Sequence, residues 1–172
     1  MKIIQVIPHL GSGGAVRFVV DLSNELIKEG HEVVLLTFYD LDGKYAFYKN
    51  DINKRVKQIS LHKNIGFSLK SILQIIDIVK REKPDIIHSH VNSLQYTILP
   101  QVFMAKGVHT VHNEAHLEAS GRLEVGLRKF VFKHNLIQPV TISQESHDSF
   151  LSFYGKEAVL INNGRTVDSN II

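Results

Sequence analysis

The sequence lacks cysteine and tryptophan altogether and contains no long run of apolar residues. Without cysteine the chain has no disulfide, no thiolate zinc site and no thiol nucleophile. A membrane-spanning helix needs about 20 consecutive apolar residues, and the apolar run at the N-terminus is too short even for a signal peptide. The chain also has no large excess of charge of either sign: it contains 20 Lys and Arg and 17 Asp and Glu, and the basic residues form no polybasic block. We therefore expect a cytoplasmic protein with no nucleic-acid partner.

The composition that is present suits a soluble globular domain. The chain has 172 residues, of which 44% are hydrophobic and 22% charged. A chain of this length can bury about two-thirds of its unfolded surface, so it needs no metal or disulfide to fold. The length fits one domain of typical size.

The first 38 residues predict a strand, a helix and a second strand. Residues 3–8 (IIQVIP) are an apolar run that is long enough for a buried strand, and residues 33–38 (VVLLTF) form another. Between them, residues 11–14 (GSGG) predict a loop, and residues 15–29 place their apolar side chains on one helical face. A strand, crossover helix and strand make a βαβ unit with a parallel sheet.

The rest of the chain continues the alternation. Helices are predicted at 69–82, at 95–104 with an interruption at Pro100, at 120–134 and at 144–153; strands are predicted at 56–61, 85–90, 108–111, 140–142 and 158–161. The pattern predicts an α/β domain with a doubly wound, Rossmann-like parallel sheet and helices on both faces. Such sheets bind ligands beyond the carboxyl ends of their strands.

Polar residues and glycines gather at those predicted strand ends, which defines one edge of the sheet as the expected site. They are His9 and the glycine loop, His88 and His90, His112 and Asn113, Ser143, and Asn162 to Gly164. The glycine loop leads into a helix N-terminus, where backbone N–H groups and the helix dipole favour a phosphate or carboxylate. No Gly-Lys-Ser/Thr follows, and Val16 stands where a dinucleotide fingerprint has its third glycine. A plain strand–helix turn is the alternative.

His112 is the strongest single candidate, since a neutral imidazole at a strand end can donate to or accept from a hydroxyl. The alternative is a histidine whose hydrogen bonds are satisfied within the fold. His109, His112 and His116 resemble a metal cluster in sequence, but His109 and His112 should point to opposite faces of the strand, so no metal site is expected. His88 and His90 share a face and are more typical of core histidines than of ligands.

Two further features have alternatives that stay open. Asp40 follows the second strand, where a dinucleotide fold places the acid that binds ribose, although a solvated turn aspartate is more usual. Residues 121–134 form a basic amphipathic helix that fits either a core-packed helix with a solvated face or a helix lying on anionic lipid. The second reading would place the protein at the inner face of a membrane.

Six segments, taken in order, resemble the N-terminal domain of a GT-B glycosyltransferase of the retaining family-4 type, which uses nucleotide-sugar donors. They are residues 1–15, 22–34 (LSNELIKEGHEVV), 83–90 (KPDIIHSH), 110–113 (TVHN), 140–143 (VTIS) and 159–164 (VLINNG). No segment is specific alone, but their order is. The sequence departs from the family's pattern at Val16, where Glu or Gln is usual, while Arg17 matches the usual basic residue.

The resemblance implies a two-domain enzyme of which this chain is one half. Residues 1–165 correspond to the Rossmann-like acceptor-side domain, and residues 166–172 to the start of an interdomain hinge. The C-terminal donor domain, with its Arg/Lys pair for the donor phosphates, lies beyond the chain. The sequence is therefore expected to be a fragment, inactive alone, or to receive the other domain from a partner.

The resemblance also implies roles for individual residues. Gly13 and Gly14, with Asn163 and Gly164, correspond to binding residues for the donor phosphates and sugar, and His112 to a histidine that contacts the donor sugar. The acceptor-pocket candidates are His9, Arg17, His88, His90, Asn113 and Ser143. Transfer is expected with retention by front-face attack, without a protein nucleophile, a metal or any cofactor beyond the nucleotide-sugar co-substrate. The acceptor is a glycan, a lipid-linked molecule or a small molecule.

Two other functions remain open at this point. An NAD(P)- or nucleotide-binding domain would use the glycine loop and Asp40. A non-catalytic module would bind a sugar or a partner protein through the same edge of the sheet.

Overall fold

A computed structural model describes residues 1–40, 42–119 and 121–164, over which strands and helices alternate. The strands are β1 Lys2–Ile7, β2 Glu32–Thr37, β3 Lys57–Ser60, β4 Ile86–His90, β5 Lys106–Val111, β6 Ile137–Thr141 and β7 Val159–Leu160. The α-helices are α1 Gly14–Lys28, α2 Leu69–Glu82, α3 Leu94–Phe103, α4 Arg122–Lys133 and α5 Gln144–Tyr154. The expected hinge at residues 166–172 lies outside the described residues, as does residue 165.

The strands of the described ranges form one sheet in the order β3-β2-β1-β4-β5-β6-β7, and every neighbouring pair is parallel. The chain starts at β1 in the middle, builds β2 and β3 on one side, and then crosses to build β4 to β7 on the other. The strand order reverses between β1 and β4, and this is the topological switch point at which such sheets bind ligands. The predicted doubly wound α/β class is confirmed.

Helix α1 covers one face of the sheet because its apolar residues recur at helical spacing. Val16, Val19 and Val20 are buried and pack with Ile7 and Leu35 of the central strands. Helix α2 covers the opposite face. Parallel strands buried on both faces explain why the strands have near-continuous apolar sequences.

The bounds of α2 coincide with those predicted, because the sequence marks both ends. At the start, the Ser68 hydroxyl accepts a hydrogen bond from the backbone N–H of Ser71 at 3.2 Å. At the end, Lys83 adopts a left-handed conformation with φ of 47°, and Pro84 follows. A side-chain cap and a proline are the usual start and stop signals of a helix.

The two prolines inside regular elements are tolerated more than the sequence suggests. The predicted interruption at Pro100 is wrong: α3 runs through it to Phe103, and the Pro100 carbonyl accepts from the N–H of Met104 at 3.0 Å. Burial of this apolar helix outweighs the one hydrogen bond that proline cannot make.

Strand β6 begins at Ile137 rather than residue 140 and includes Pro139, beside which β7 forms no pair. A proline fits a strand at such an unpaired side.

A row of polar side chains crosses the sheet on the face that α1 packs against. The register pairs Gln5 with His88 and His90 with Thr110, and strand residues two apart share a face. Gln5, His88, His90 and Thr110 therefore lie on the same side as Ile7. This row leads from the core to the carboxyl ends of β4 and β5.

Candidate functional site

The glycine loop presents bare backbone at the start of α1. Gly13 precedes the helix and Gly14 opens it; neither supplies a capping side chain, and no acidic residue lies in the first turn. A Cβ built at either position would meet no atom within 4 Å. The N–H groups of a first helical turn have no partner within the helix. The loop therefore offers an open site for an anion.

The residues that the sequence assigned to the donor lie around one cavity of about 290 Å³. The chain after β7 continues along β6, where the N–H of Asn163 donates to the carbonyl of Ile142 at 3.0 Å. This pairing places the end of the described chain beside the start of α1. The cavity is lined by Gly13, Gly14, Arg17, Phe18, Asp21, Tyr48, Asn163 and Gly164.

Arg17 lies in this cavity but already has two acidic partners. Its Nε donates to Asp21 at 2.9 Å, and a terminal nitrogen donates to Asp51 at 3.1 Å. The hydrogen bond to Asp21 raises the pKa of the guanidinium further above its usual value. Its side chain is 46% exposed, so it can also reach a ligand. Arg17 therefore lines the same cavity as Gly13 and Gly14, and its assignment to the acceptor pocket stays a prediction.

His112 lies directly after β5 and contacts Phe18, which lines this cavity. Its ring meets the ring of Phe18 edge to face, with centroids 5.3 Å apart, and Phe18 itself lines the glycine cavity. The backbone N–H of His112 donates to Glu118 Oε1 at 2.7 Å, and that of Asn113 donates to the same oxygen at 3.2 Å. Burial lowers the pKa of His112 to about 4, so the imidazole is neutral at pH 7.

His88 and His90 lie within β4, as the strand predicted at 85–90 implies, and His90 is its last residue. His90 is 0% exposed: its Nδ1 lies 3.0 Å from His112 Nε2, and its Nε2 lies 2.7 Å from Gln5 Oε1. His88 Nε2 lies 2.7 Å from the Thr110 hydroxyl, and the two β4 rings are 4.0 Å apart. Burial lowers the pKa of His88 to about 3 and holds that of His90 well below its usual value. His90 is buried and His88 partly buried, and both have polar partners within the sheet. Their assignment to an acceptor pocket stays a prediction.

His9 lies at a second, larger cavity. Its Nδ1 accepts a hydrogen bond from the N–H of Gly11 at 3.0 Å, and burial, with the nearby Lys44 charge, lowers the pKa of its ring. The cavity has a volume of about 460 Å³ and is largely aromatic. It is lined by Pro8, His9, Phe38, Tyr39, Lys63, Gly66, Phe67, Val91, Asn92, Gln95 and Tyr96.

Lys63 is the charged residue of this aromatic cavity, and sequence reasoning missed it. Its ammonium lies between the rings of Tyr39 and Tyr96, 5.3 and 5.4 Å from their centroids. It donates to the carbonyl oxygens of Asn64, at 2.9 Å, and Gly66. Burial lowers its pKa. Of the described residues that line this cavity, only His9 was predicted from the sequence.

The other predicted residues divide between surface and structure. Asn113 is exposed at the edge of the sheet. Ser143 caps α5, because its hydroxyl accepts from the N–H of Ser146 at 3.2 Å. Asp40 is bonded to His62 and, at 3.4 Å, to the hydroxyl of Ser60. Asp40 thus makes the local side-chain hydrogen bonds that are usual for a turn aspartate. These contacts give no support to the hypothesis that it binds the ribose of a dinucleotide.

His109 and His112 face opposite sides of the sheet, as predicted. His109 is fully buried, with Nδ1 3.0 Å from Ser89 Oγ and its ring stacked near Phe132 of α4. Its Nε2 lies 3.4 Å from Glu118 Oε2. Among residues 1–40, 42–119 and 121–164, no group of three His, Asp or Glu side chains is arranged to hold a metal ion. That no metal takes part stays a prediction.

Helix α4 presents an apolar stripe to the outside. Leu123, Leu127 and Phe130 are 92%, 46% and 53% exposed, and their spacing puts them on one helical face. Basic residues flank this stripe. They are Arg122, Lys129, Lys133 and His134. None of the described helices is both long enough and apolar enough to cross a bilayer.

The chain is similar to known glycosyltransferases in sequence pattern and in fold. A family model described as Glycosyltransferase Family 4 matches residues 12–168. None of the curated proteins with which the chain was compared matches it.

Three solved structures share the fold at low sequence identity. A glycosyltransferase from Rickettsia africae ESF-5 has 19% identity and a TM-score of 0.69, over 95% of this chain and 43% of its own. Anabaena Alr3699/HepE, solved in complex with UDP and glucose, has 16% identity and a TM-score of 0.71, over 96% and 45%. Sucrose-phosphate synthase from Thermosynechococcus elongatus has 13% identity and a TM-score of 0.66, over 95% and 48%. The chain thus spans less than half the length of each.

Proposed function

Because the chain belongs to glycosyltransferase family 4, we propose that it is the N-terminal, acceptor-side domain of an enzyme that transfers a sugar from a nucleotide-sugar to an acceptor with retention of configuration. The observation that carries this proposal is the cavity that gathers Gly13, Gly14, Asn163 and Gly164, with His112 beside it. The chain covers 43% to 48% of three structural relatives. A second, C-terminal domain is therefore expected to complete the site from across this edge of the sheet.

The glycine cavity takes the donor diphosphate. The unpaired N–H groups and positive end of α1 point into it, and the lack of side chains at Gly13 and Gly14 lets a phosphate approach the backbone. As the bond between sugar and diphosphate breaks, negative charge builds on the leaving phosphate. Oriented N–H groups that stabilise this charge lower the barrier without any covalent step. Arg17 adds a positive charge from the same helix, shared with its two acidic partners.

His112 contacts the sugar rather than the phosphates. It lies beyond Phe18 from the glycine cavity, where the sugar attached to the diphosphate would extend. Its neutral ring is suited to hydrogen bonding and not to charge neutralisation. We expect attack on the front face of the sugar, with the leaving phosphate accepting the proton of the acceptor, so the protein supplies position and electrostatics. No metal or further cofactor enters this scheme.

The acceptor is assigned to the aromatic cavity that contains His9. Aromatic walls bind the apolar face of a sugar or another ring, and its polar side chains, His9, Asn92 and Gln95, can bond hydroxyl groups. None of the described residues lining it is acidic, and Lys63 gives it positive charge. The cavity therefore fits a hydroxylated ring with a neutral or anionic substituent.

Contact with a membrane surface is a second part of the proposal. The exposed stripe of Leu123, Leu127 and Phe130, with flanking basic residues, has the character of a helix that lies on anionic lipid. Such contact would bring a lipid-linked acceptor to the enzyme.

The test of the proposed reaction uses the full natural chain and a panel of nucleotide-sugars. Transfer or hydrolysis of one donor, with the product anomer assigned by NMR coupling constants, supports the proposal. His112→Ala should lower turnover more than tenfold, equivalent to about 1.4 kcal/mol of transition-state stabilisation. His116→Ala is the matched control, because His116 is exposed four residues further along. Micromolar binding of NAD with no response to any nucleotide-sugar would refute the proposal, and an inverted product would refute retention.

A further inference from the structure

Three side chains form a continuous line from the middle of the sheet to the edge of the proposed site. Gln5 Oε1 in β1 lies 2.7 Å from His90 Nε2 in β4, and His90 Nδ1 lies 3.0 Å from His112 Nε2 after β5. Gln5 and His90 are fully buried. The last nitrogen in the line, His112 Nδ1, is buried and has no hydrogen-bond partner among the described residues.

The positions of the protons along this line follow from its first atom. The carbonyl oxygen of Gln5 can only accept, so the proton of His90 is on Nε2. A neutral imidazole carries one N–H, which leaves a lone pair on His90 Nδ1. That lone pair accepts a hydrogen bond from His112, whose proton is therefore on Nε2. His112 Nδ1 is left with a lone pair and no partner.

Both rings have to be neutral for this assignment, and their surroundings keep them so. The groups that face them are His88, His109 and Glu118, together with the ring of Phe18 from α1. Burial, and the other histidines beside it, hold the pKa of His90 well below its usual value. Burial lowers the pKa of His112 to about 4, against the opposing effect of the Glu118 carboxylate. Neither ring is therefore an imidazolium with a proton on both nitrogens at pH 7.

We propose that Gln5 and His90 are positioning residues that hold His112 in the Nε2-protonated form, so that its Nδ1 accepts a hydrogen bond from a hydroxyl of the transferred sugar. The identity of the sugar as partner rests on the proposed function, whereas the proton arrangement does not. The line explains why a glutamine and a histidine are fully buried side by side in the central strands of the sheet. It also gives the unpartnered nitrogen a role.

The arrangement lets His112 discriminate between sugars as well as bind one. A lone pair binds a hydroxyl, which donates, and repels a carboxylate or an ether oxygen, which only accepts. A buried acceptor also loses its partner when the hydroxyl is absent, and this discriminates more strongly than a missing apolar contact. The preferred donor is thus a sugar with a free hydroxyl at this position, and not its deoxy or O-methyl counterpart.

The first test reads the proton directly. In the full natural chain with ¹⁵N-labelled histidine, long-range ¹H–¹⁵N correlation spectra at pH 7 distinguish a protonated nitrogen from one with a lone pair, and His112→Asn identifies the signal. We expect His112 to be protonated at Nε2 and His90 at Nε2. A proton on His112 Nδ1 would mean that the Gln5 amide nitrogen faces His90, and would overturn the proposal.

Variants test whether the line acts as a line. Gln5→Leu removes the acceptor of the His90 proton and should give a mixture of both forms of His112. Thr110→Val is the control, because it removes the partner of His88 without touching the line. If Gln5→Leu fails to fold, the wild-type spectrum still decides. A His112 signal unchanged in folded Gln5→Leu would overturn the positioning role.

The final test measures selectivity with the monodeoxy series of the donor that the enzyme uses. One deoxy position should lower kcat/KM about tenfold in the wild type and leave it nearly unchanged in a His112→Ala background, the size expected for one buried hydrogen bond. Equal losses in both backgrounds would refute the contact between His112 and a hydroxyl. If no nucleotide-sugar is turned over while the spectrum still shows Nε2 protonation, the proposed function fails and the proton arrangement stands.

Discussion

Glu118 Oε1 accepts a hydrogen bond from the backbone N–H of His112 at 2.7 Å. A buried carboxylate therefore fixes the turn that carries the histidine proposed to bind the sugar. Its second oxygen lies 3.4 Å from His109 on the other side of β5. Burial alone would raise the pKa of Glu118, but contacts with His109 and the N–H groups at His112 outweigh it, and the pKa is lowered. The carboxylate is therefore ionised at neutral pH and ties the loop to the sheet.

Removing this carboxylate should loosen the turn. Glu118→Ala leaves the N–H groups of His112 and Asn113 without this acceptor, and we expect the free energy of unfolding in urea to fall by about 1–3 kcal/mol. Glu118→Gln retains an acceptor oxygen and should lose less. Equal stability of Glu118→Ala and the wild type would show that the turn is held by other contacts.

The stability of the protein should fall in mild acid because of its buried histidines. His88 and His112, with folded pKa values of about 3 and 4, stay neutral in the fold, while an unfolded histidine takes up a proton near pH 6.5. The unfolded state therefore binds more protons below pH 6.5, and stability is lost as pH falls from there towards 4. Each such histidine contributes a slope of up to about 1.4 kcal/mol per pH unit.

Urea unfolding at pH 7.5, 6.0 and 5.0 measures this slope. His88→Leu should make the dependence shallower, because one group with a lowered pKa is removed. His116→Gln, at an exposed position, should leave the slope as it is. Stability that is constant between pH 7.5 and 5.0 would contradict the expected protonation difference.

A single methyl group at the glycine loop should weaken donor binding without harming the fold. Gly14→Ala adds a Cβ where the fold leaves open space, and alanine is at least as good as glycine in a helix, so stability is expected to hold or rise slightly. The same methyl should stand in the way of the donor phosphate and raise the donor KM roughly tenfold, which is about 1.4 kcal/mol. The matched control is Gly126→Ala in α4, where a Cβ also meets nothing. An unchanged KM in Gly14→Ala would remove the phosphate from this loop.

The outward stripe of α4 should determine binding to lipid. Replacing Leu123 and Phe130 together by Gln is expected to reduce co-flotation with vesicles rich in anionic phospholipid several-fold. Leu73→Gln, which changes a residue of similar exposure on α2, should have no effect. If wild-type protein fails to float with anionic vesicles, α4 is only a solvated helix.

The sequence predicted elements well where local signals agree with packing. Helix α2 has the predicted bounds because Ser68 and Pro84 mark its ends, and β1 and β2 are apolar because helices cover both faces. Pro100 misled the prediction, since its effect on a free helix differs from its effect in a buried one.

The site was predictable only in part because its partners are distant in sequence. The strand ends that topology brings together were visible, as were Gly13 and His112. The line from Gln5 to His90 and the pairing of Glu118 with His112 required the strand register, which no local pattern encodes. Tyr96 and Lys63 meet across a cavity for the same reason.

Gly14 and Phe18 are one helical turn apart on α1, about 6 Å along its axis. One of them borders the place proposed for the diphosphate, and the other packs against the imidazole proposed for the sugar. Because α1 is a rigid helix, it fixes the distance between the two contacts proposed for the donor. Any shift of α1 on domain closure would carry both contacts together, and a co-substrate whose charged and hydroxylated ends were spaced differently could satisfy only one of them.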